Sequence, residues 1–227
     1  VNLNLDAGQT YTSPYSLGHH KIKREDFAVI HSGEGDGWNT SKPSMGSIMI
    51  FQGGIYLIDA PPNILHILRS LGIDISEIIG IFHTHAHDDH FASLPFLLQS
   101  DHRIKYYATP LVRSSVSKKF SALLSLDEEA LSRFFDFHDL EFDQWNNCGG
   151  LEVKPIFSPH PVETNIYIFR ALGNDGYKTY AHYADIISLD LLVKMVGDDP
   201  DSISLDTYNR TKDAYLIPTT LKKIDIG

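Results

Sequence analysis

Cysteine is nearly absent: Cys148 is the only one in 227 residues. An internal disulfide is excluded, and the usage fits a reducing compartment, so a cytoplasmic location is expected. Next to a Gly-Gly turn, this lone thiol reads as a small buried side chain. Basic residues are outnumbered, 19 against 29 acidic ones, for a formal net charge of −10. That balance argues against a general nucleic-acid or anionic-membrane surface, though not against a local basic groove. No apolar run reaches the roughly 20 residues of a membrane helix, and no signal peptide is visible. The stretch Ser32-Gly33-Glu34-Gly35-Asp36-Gly37 lacks the lysine of a P-loop and reads as a loop near a site. What remains is globular: 42% hydrophobic and 11% aromatic, in a length that suits one domain spanning 1–227.

Alternating apolar runs predict strands at Phe27–His31, Ser47–Phe51, Ile55–Asp59, Ile78–Phe82, Ile104–Ala108 and Leu151–Phe157. Two hairpins are expected, around Gln52-Gly53-Gly54 and around Gly173-Asn174-Asp175-Gly176. A late strand is expected at Ala214–Pro218. Helices are expected over Asn63–Leu71, near Leu94–Gln99, after Thr109-Pro110, after the capping box at Ser125–Glu128, and over Ile186–Val196. The helices after Pro110 and after Ser125 either cover a site or simply pack. Residues Val1 to Leu17 are polar and turn-rich, without a period.

The chemistry concentrates in Phe82-His83-Thr84-His85-Ala86-His87-Asp88-Asp89-His90. These residues follow a buried-strand pattern and precede a helical one, so they occupy a strand-to-helix loop. His85 and His87 are two apart and face one way on extended backbone. Asp89 and His90 follow where the chain turns and address a second point, an arrangement that suits two metals better than one. Imidazole and carboxylate together suit zinc first, and also iron or manganese.

Thr84-His85-Ala86-His87-Asp88-Asp89-His90 resembles the T-H-x-H-x-D-H signature of the metallo-β-lactamase superfamily. The tail Ser93-Leu94-Pro95-Phe96-Leu97-Leu98 is similar to the segment that follows this motif in ribonuclease Z and related phosphodiesterases, with Ser93 in place of a glycine. The resemblance implies an α+β fold, an αββα sandwich of two mixed sheets flanked by helices. It implies that His85, His87 and His160 hold one divalent cation. Asp89 and His90 would hold a second, with Asp185 bridging the two. Asp59 is expected to support the loop by hydrogen bonds rather than to bind metal, as a buried carboxylate beside ligand histidines can. The superfamily pattern expects one more histidine late in the chain, yet none follows His182. The expectation is that the chain is truncated and this ligand lies beyond Gly227, the alternative being a second site that has lost a ligand; two equally tight sites would mean that His83 or His182 completes it. Alternation points His182 away from Asp185, toward core packing.

The activity implied is that of a dinuclear metal-dependent hydrolase, with a metal-bridging hydroxide as nucleophile and Asp89 and Asp185 as catalytic carboxylates. A phosphodiester is slightly favoured over other small molecules as substrate, and a homodimer is one option. The alternatives are a di-iron binding or sensor protein of the same fold, against which the retained His87 counts, and a non-catalytic module.

Overall fold

The computed structural model describes residues 16–39 and 41–224. The opening stretch lies almost wholly outside the described residues. The first sheet begins with three antiparallel strands, β1 (Phe27–Gly33), β2 (Gly46–Phe51) and β3 (Gly54–Ile58). Gln52 and Gly53 join β2 to β3 with φ of 49° and 75°, the positive pair that a tight hairpin needs to match strand twist. The chain then crosses over through α1 (Ile64–Ser70) to β4 (Ile78–Phe82), which lies parallel to β3. A short helix, α2 (Asp88–Phe91), leads to β5 (Ile104–Ala108). The long helix α3 (Pro110–Leu124) leads to β6 (Phe135–Asp139), and β4, β5 and β6 are all parallel. The sheet order is β1-β2-β3-β4-β5-β6.

The second sheet is built from β7 (Asn146–Cys148), β8 (Leu151–Ser158), β9 (Thr164–Gly173) and β10 (Gly176–His182), all antiparallel. After α4 (Leu189–Leu192) and α5 (Leu205–Leu216), β11 (Leu221–Lys223) adds a parallel edge beside β10.

Three layers of buried side chains join these sheets and helices. Met49, Tyr56, Ile58, Phe82 and Tyr107 of the first sheet meet Leu151, Val153, Tyr167, Phe169 and Tyr180 of the second. Phe82 stacks on Tyr107 with ring centroids 4.7 Å apart and meets Phe169 edge-on at 5.0 Å. The other face of the first sheet buries Ile48, Leu57 and Ile81 against Ile64 and Leu68 of α1 and Val112, Val116 and Phe120 of α3. The outer face of the second sheet buries Ile166, Ile168 and Tyr183 against Ala214 and Tyr215 of α5. Each such side chain contributes roughly 1.5–3 kcal/mol when fully buried. The expected αββα sandwich of two mixed sheets is therefore the observed fold.

Several local expectations are corrected. Ala214 and Tyr215 belong to α5, not to a strand. Ser204 caps that helix by accepting from the Thr207 amide, and Thr211, Ala214 and Tyr215 then fall on one buried face. The late edge strand is β11, a few residues on. Over Ile186–Val196 only α4 is α-helical, because Ser188 sets its start, and a 3₁₀ turn over Val193–Met195 ends it. Leu94–Gln99 is a 3₁₀ helix as well. After Ser125 only a 3₁₀ turn forms, Glu128–Arg133. Phe135 and Phe137, two apart, then open β6 and pack into the core: the period there is that of a strand.

Candidate metal centre

The strands β3, β4, β8 and β10 all end at one edge of the sandwich, and each hands its last residues to the same place. Asp59 follows β3 with φ of 65°, a conformation Asp tolerates better than most residues. It is fully buried. Its Oδ1 accepts from the Thr84 amide at 2.7 Å. Its Oδ2 accepts from Thr84 Oγ1 at 2.7 Å and from His90 Nδ1 at 2.7 Å. Because the single Thr84 hydroxyl proton goes to Asp59, Thr84 Oγ1 accepts from His85 Nδ1, 3.0 Å away. One carboxylate thus makes Nδ1 the donor nitrogen of two histidines and turns both Nε2 atoms to the open edge. Asp59 makes the hydrogen bonds expected of it, and Thr84 is the relay that sequence reasoning missed. The motif contains the threonine, but its role depends on a contact across 25 positions of sequence.

The predicted ligands converge on that edge in two groups. In the first, one donor atom each from His85, His87, His160 and Asp185 lie within 4.8 Å of one another. His85 Nε2 is 3.2 Å from His87 Nδ1, and His160 Nε2 is 3.0 Å from the same atom. Asp185 Oδ2 is 3.4 Å from both His85 Nε2 and His160 Nε2. Tetrahedral zinc with ligands at its usual distance has ligand–ligand edges of about 3.3 Å, so this set fits such an ion. The second group is Asp89, His90 and Asp185. His90 Nε2 is 3.3 Å from Asp89 Oδ2 and 3.1 Å from Asp185 Oδ1. Asp185 sends one oxygen to each group. It follows Ala184, whose φ of 35° is strained for a residue with a Cβ and turns the chain out of β10.

The protonation pattern agrees with a cation-binding role. Burial pushes His160 down to about 4, assisted by its histidine neighbours. Burial lowers His85 too, against a hydrogen bond to Asp185 that raises it. These rings are neutral ligands near pH 7. Burial works against the charged form of Asp185, but its interactions with the adjoining His85 and His90 win and hold its carboxyl well below the usual range. Asp59 behaves alike, with His90 outweighing the cost of burial. Burial alone would lower His90, but Asp59, Asp185 and Asp89 raise it well above an ordinary imidazole. In a metal-free site a proton on His90 Nε2 offsets the carboxylates around it, and a cation would compete for that position.

His83 and His182 lie in neither group. His83 is fully buried beside Phe91 and Tyr106, and burial pushes it down to about 4. His182 is fully buried, with Nδ1 bonded to Tyr180 Oη at 3.0 Å and 3.4 Å from Ser47 Oγ. It packs in the core, as alternation predicts. Among the described residues no further histidine reaches the second group.

The glycine-rich loop does lie beside the site: a Cβ on Gly37 would stand 2.6 Å from Asp89 Cβ. On the other flank, a cavity of about 880 Å³ opens beside His160, walled mainly by Phe157, Ile186, Ile187, Leu191 and Met195. Among the described residues no helix is long and apolar enough to cross a membrane.

Residues 27–177 match the family described as anti-Pycsar protein Apyc1. A curated relative, the cGMP-dependent 3′,5′-cGMP phosphodiesterase A of Dictyostelium discoideum, is 25% identical over 61% of this chain and 16% of its own length. The cAMP/cGMP-dependent 3′,5′-cAMP/cGMP phosphodiesterase B of the same organism is 21% identical over 72% of this chain and 15% of its own. The chain thus spans about a sixth of the length of either. Among solved structures, human tRNase Z, short form, superposes with a TM-score of 0.53 and 18% identity, covering 73% of both chains. A diphosphatase of the PhnP family superposes with a TM-score of 0.54 and 14% identity, over 86% of this chain and 85% of that one. The fold is that of the metallo-β-lactamases.

Proposed function

Because the chain belongs to the family of the anti-Pycsar protein Apyc1, we propose that it is a metal-dependent hydrolase acting on the phosphodiester of a small cyclic nucleotide. The observation that carries the reading is the pair of ligand groups joined through Asp185. Divalent cations held there would make hydroxide available at neutral pH and neutralise charge on the phosphoryl oxygens. Zinc suits the three-histidine group best, with iron or manganese next.

The remaining work falls to the chain itself. Asp185 sets the spacing between the two groups, and Asp89 walls the opposite side; these are the proposed catalytic carboxylates. Their side chains keep 24% and 18% exposure, so the reacting edge is open to substrate while His85 and His90 behind it are closed in. Asp59 and Thr84 hold the ring orientations. The cavity beside His160 offers an apolar wall for the organic part of a nucleotide. A net charge of −10 disfavours a long polyanion as substrate. The two relatives named as cyclic nucleotide phosphodiesterases support the substrate class.

The test is hydrolysis of 3′,5′-cGMP and 3′,5′-cAMP by zinc-loaded protein, beside a lactam and a thioester, for the parent chain and His85→Ala. Cyclic nucleotide opening by the parent is expected. The variant should lose metal and more than the roughly 10–100-fold typical of losing a ligand's supporting partner. A parent that cleaves only the lactam or thioester would overturn the substrate class. An alanine variant with full metal content and activity would overturn the site.

A further inference from the structure

Helix α3 crosses the back of the loop that carries four of the six proposed ligands, and one side chain meets that loop three times. Lys119 Nζ donates to the carbonyl of Ala86 at 2.6 Å. It also lies 2.6 Å from Asp88 Oδ1 and 4.5 Å from the centroid of Phe91. Ala86 separates His85 from His87, Asp88 separates His87 from Asp89, and Phe91 follows His90. One ammonium therefore meets both residues that separate His85, His87 and Asp89 and the residue that follows His90. One turn earlier on the same helix, Ser115 Oγ donates to Glu163 Oε2 at 3.0 Å, in the segment that carries His160. Residues four apart share a helix face.

Resting on the metal reading above, we propose that Lys119 is a positioning residue that preorganises the His85–His90 loop for its cation. The physical need is plain. Residues 83–87 have no helix or strand ladder of their own to hold them, yet the ligand atoms must stay within a few tenths of an ångström of metal geometry. A carbonyl at Ala86 pinned by a cation fixes the peptide between two ligand rings. A lysine suits the task, because three donors on one compact charge can serve a carbonyl, a carboxylate and a ring face together. Its contribution to folding is small: the Lys119 and Asp88 side chains are 33% and 85% exposed, and such pairs add little to stability. The contribution lies in metal affinity.

The experiment compares the parent with Lys119→Met, which keeps the apolar stem, Lys119→Arg, which keeps the charge, and Ser115→Ala. Cobalt(II) is titrated against a competing chelator while its visible spectrum is followed, and melting temperatures are measured with and without cobalt. Lys119→Met should bind the first cobalt about 10-fold more weakly, in the range of outer-shell partners. Its metal-free melting temperature should match the parent's, and Lys119→Arg should recover part of the affinity. Ser115→Ala should change affinity by less than Lys119→Met, since it touches only the segment of His160. Parent-like cobalt affinity in Lys119→Met would overturn the proposal. Equal losses of melting temperature with and without cobalt, at unchanged affinity, would also overturn it by assigning Lys119 to ordinary packing. A parent chain that takes up no cobalt at all would overturn the metal reading itself.

Discussion

Replacing Asp59 by asparagine keeps the volume, and asparagine tolerates the positive φ of 65° as readily as aspartate. The perturbation is confined to charge and to hydrogen-bond polarity. The amide oxygen can still accept from the Thr84 backbone. The amide nitrogen, standing where Oδ2 was, would donate to Thr84 Oγ1 and to His90 Nδ1. Thr84 would then turn its own proton toward His85 Nδ1. Both histidines would be driven to the tautomer that carries its proton on Nε2, the nitrogen that faces the candidate ions. Two costs follow. Loss of the buried carboxylate turns three charge-assisted bonds worth about 1.5–3 kcal/mol each into neutral ones worth about 0.5–1.5 kcal/mol each, so metal-free stability should fall by about 3–5 kcal/mol. Metal affinity should fall about 10–100-fold. Denaturant unfolding in chelator measures the first, and zinc competition titration the second. A D59N variant as stable as the parent, with undiminished zinc affinity, would refute the relay from Asp59 through Thr84.

Gly37→Ala should weaken the second group, because the added Cβ would stand 2.6 Å from that of Asp89 at a φ of 82°. A cost of about 1–3 kcal/mol in backbone strain and a drop in the second metal equivalent are expected, and parent-like stoichiometry and melting temperature would contradict the packing of that loop on Asp89. The buried His182, pushed down to about 3 from 6.5 by burial and by Lys223, makes the fold acid-sensitive. Between those two pH values the unfolded chain binds the proton and the folded chain does not, so stability falls as pH drops through the window, by up to about 5 kcal/mol. His182→Gln should flatten that part of the pH–stability curve measured by denaturant titration in chelator, and an unchanged slope would assign the acid sensitivity to other groups.

Much of this protein was determined by local sequence. Strand periods at Ser47–Phe51, Ile78–Phe82 and Leu151–Phe157, and the two hairpin turns, are readable because alternation and positive-φ turn residues act within a few positions. The motif His85 to His90 is equally local: ligands one or two residues apart on a turning chain must converge, whatever surrounds them. Elements without a local signal were decided by tertiary packing. Phe135 and Phe137 form a strand because β5 offers them an open edge beside it, and Ala214 and Tyr215 form a helix because Tyr183 and Ile166 present a surface to cover. The contributions of Thr84, Gly37 and Lys119 arise from contacts across long stretches of chain. Nothing in the sequence around Lys119 sets it apart from a solvated helix lysine; only the packing of α3 through Val112, Val116 and Phe120 brings its charge onto the loop. The sequence determined which residues can bind a metal, and the fold decided which carboxylate orients them, because orientation depends on hydrogen bonds between segments that meet only when the two sheets close.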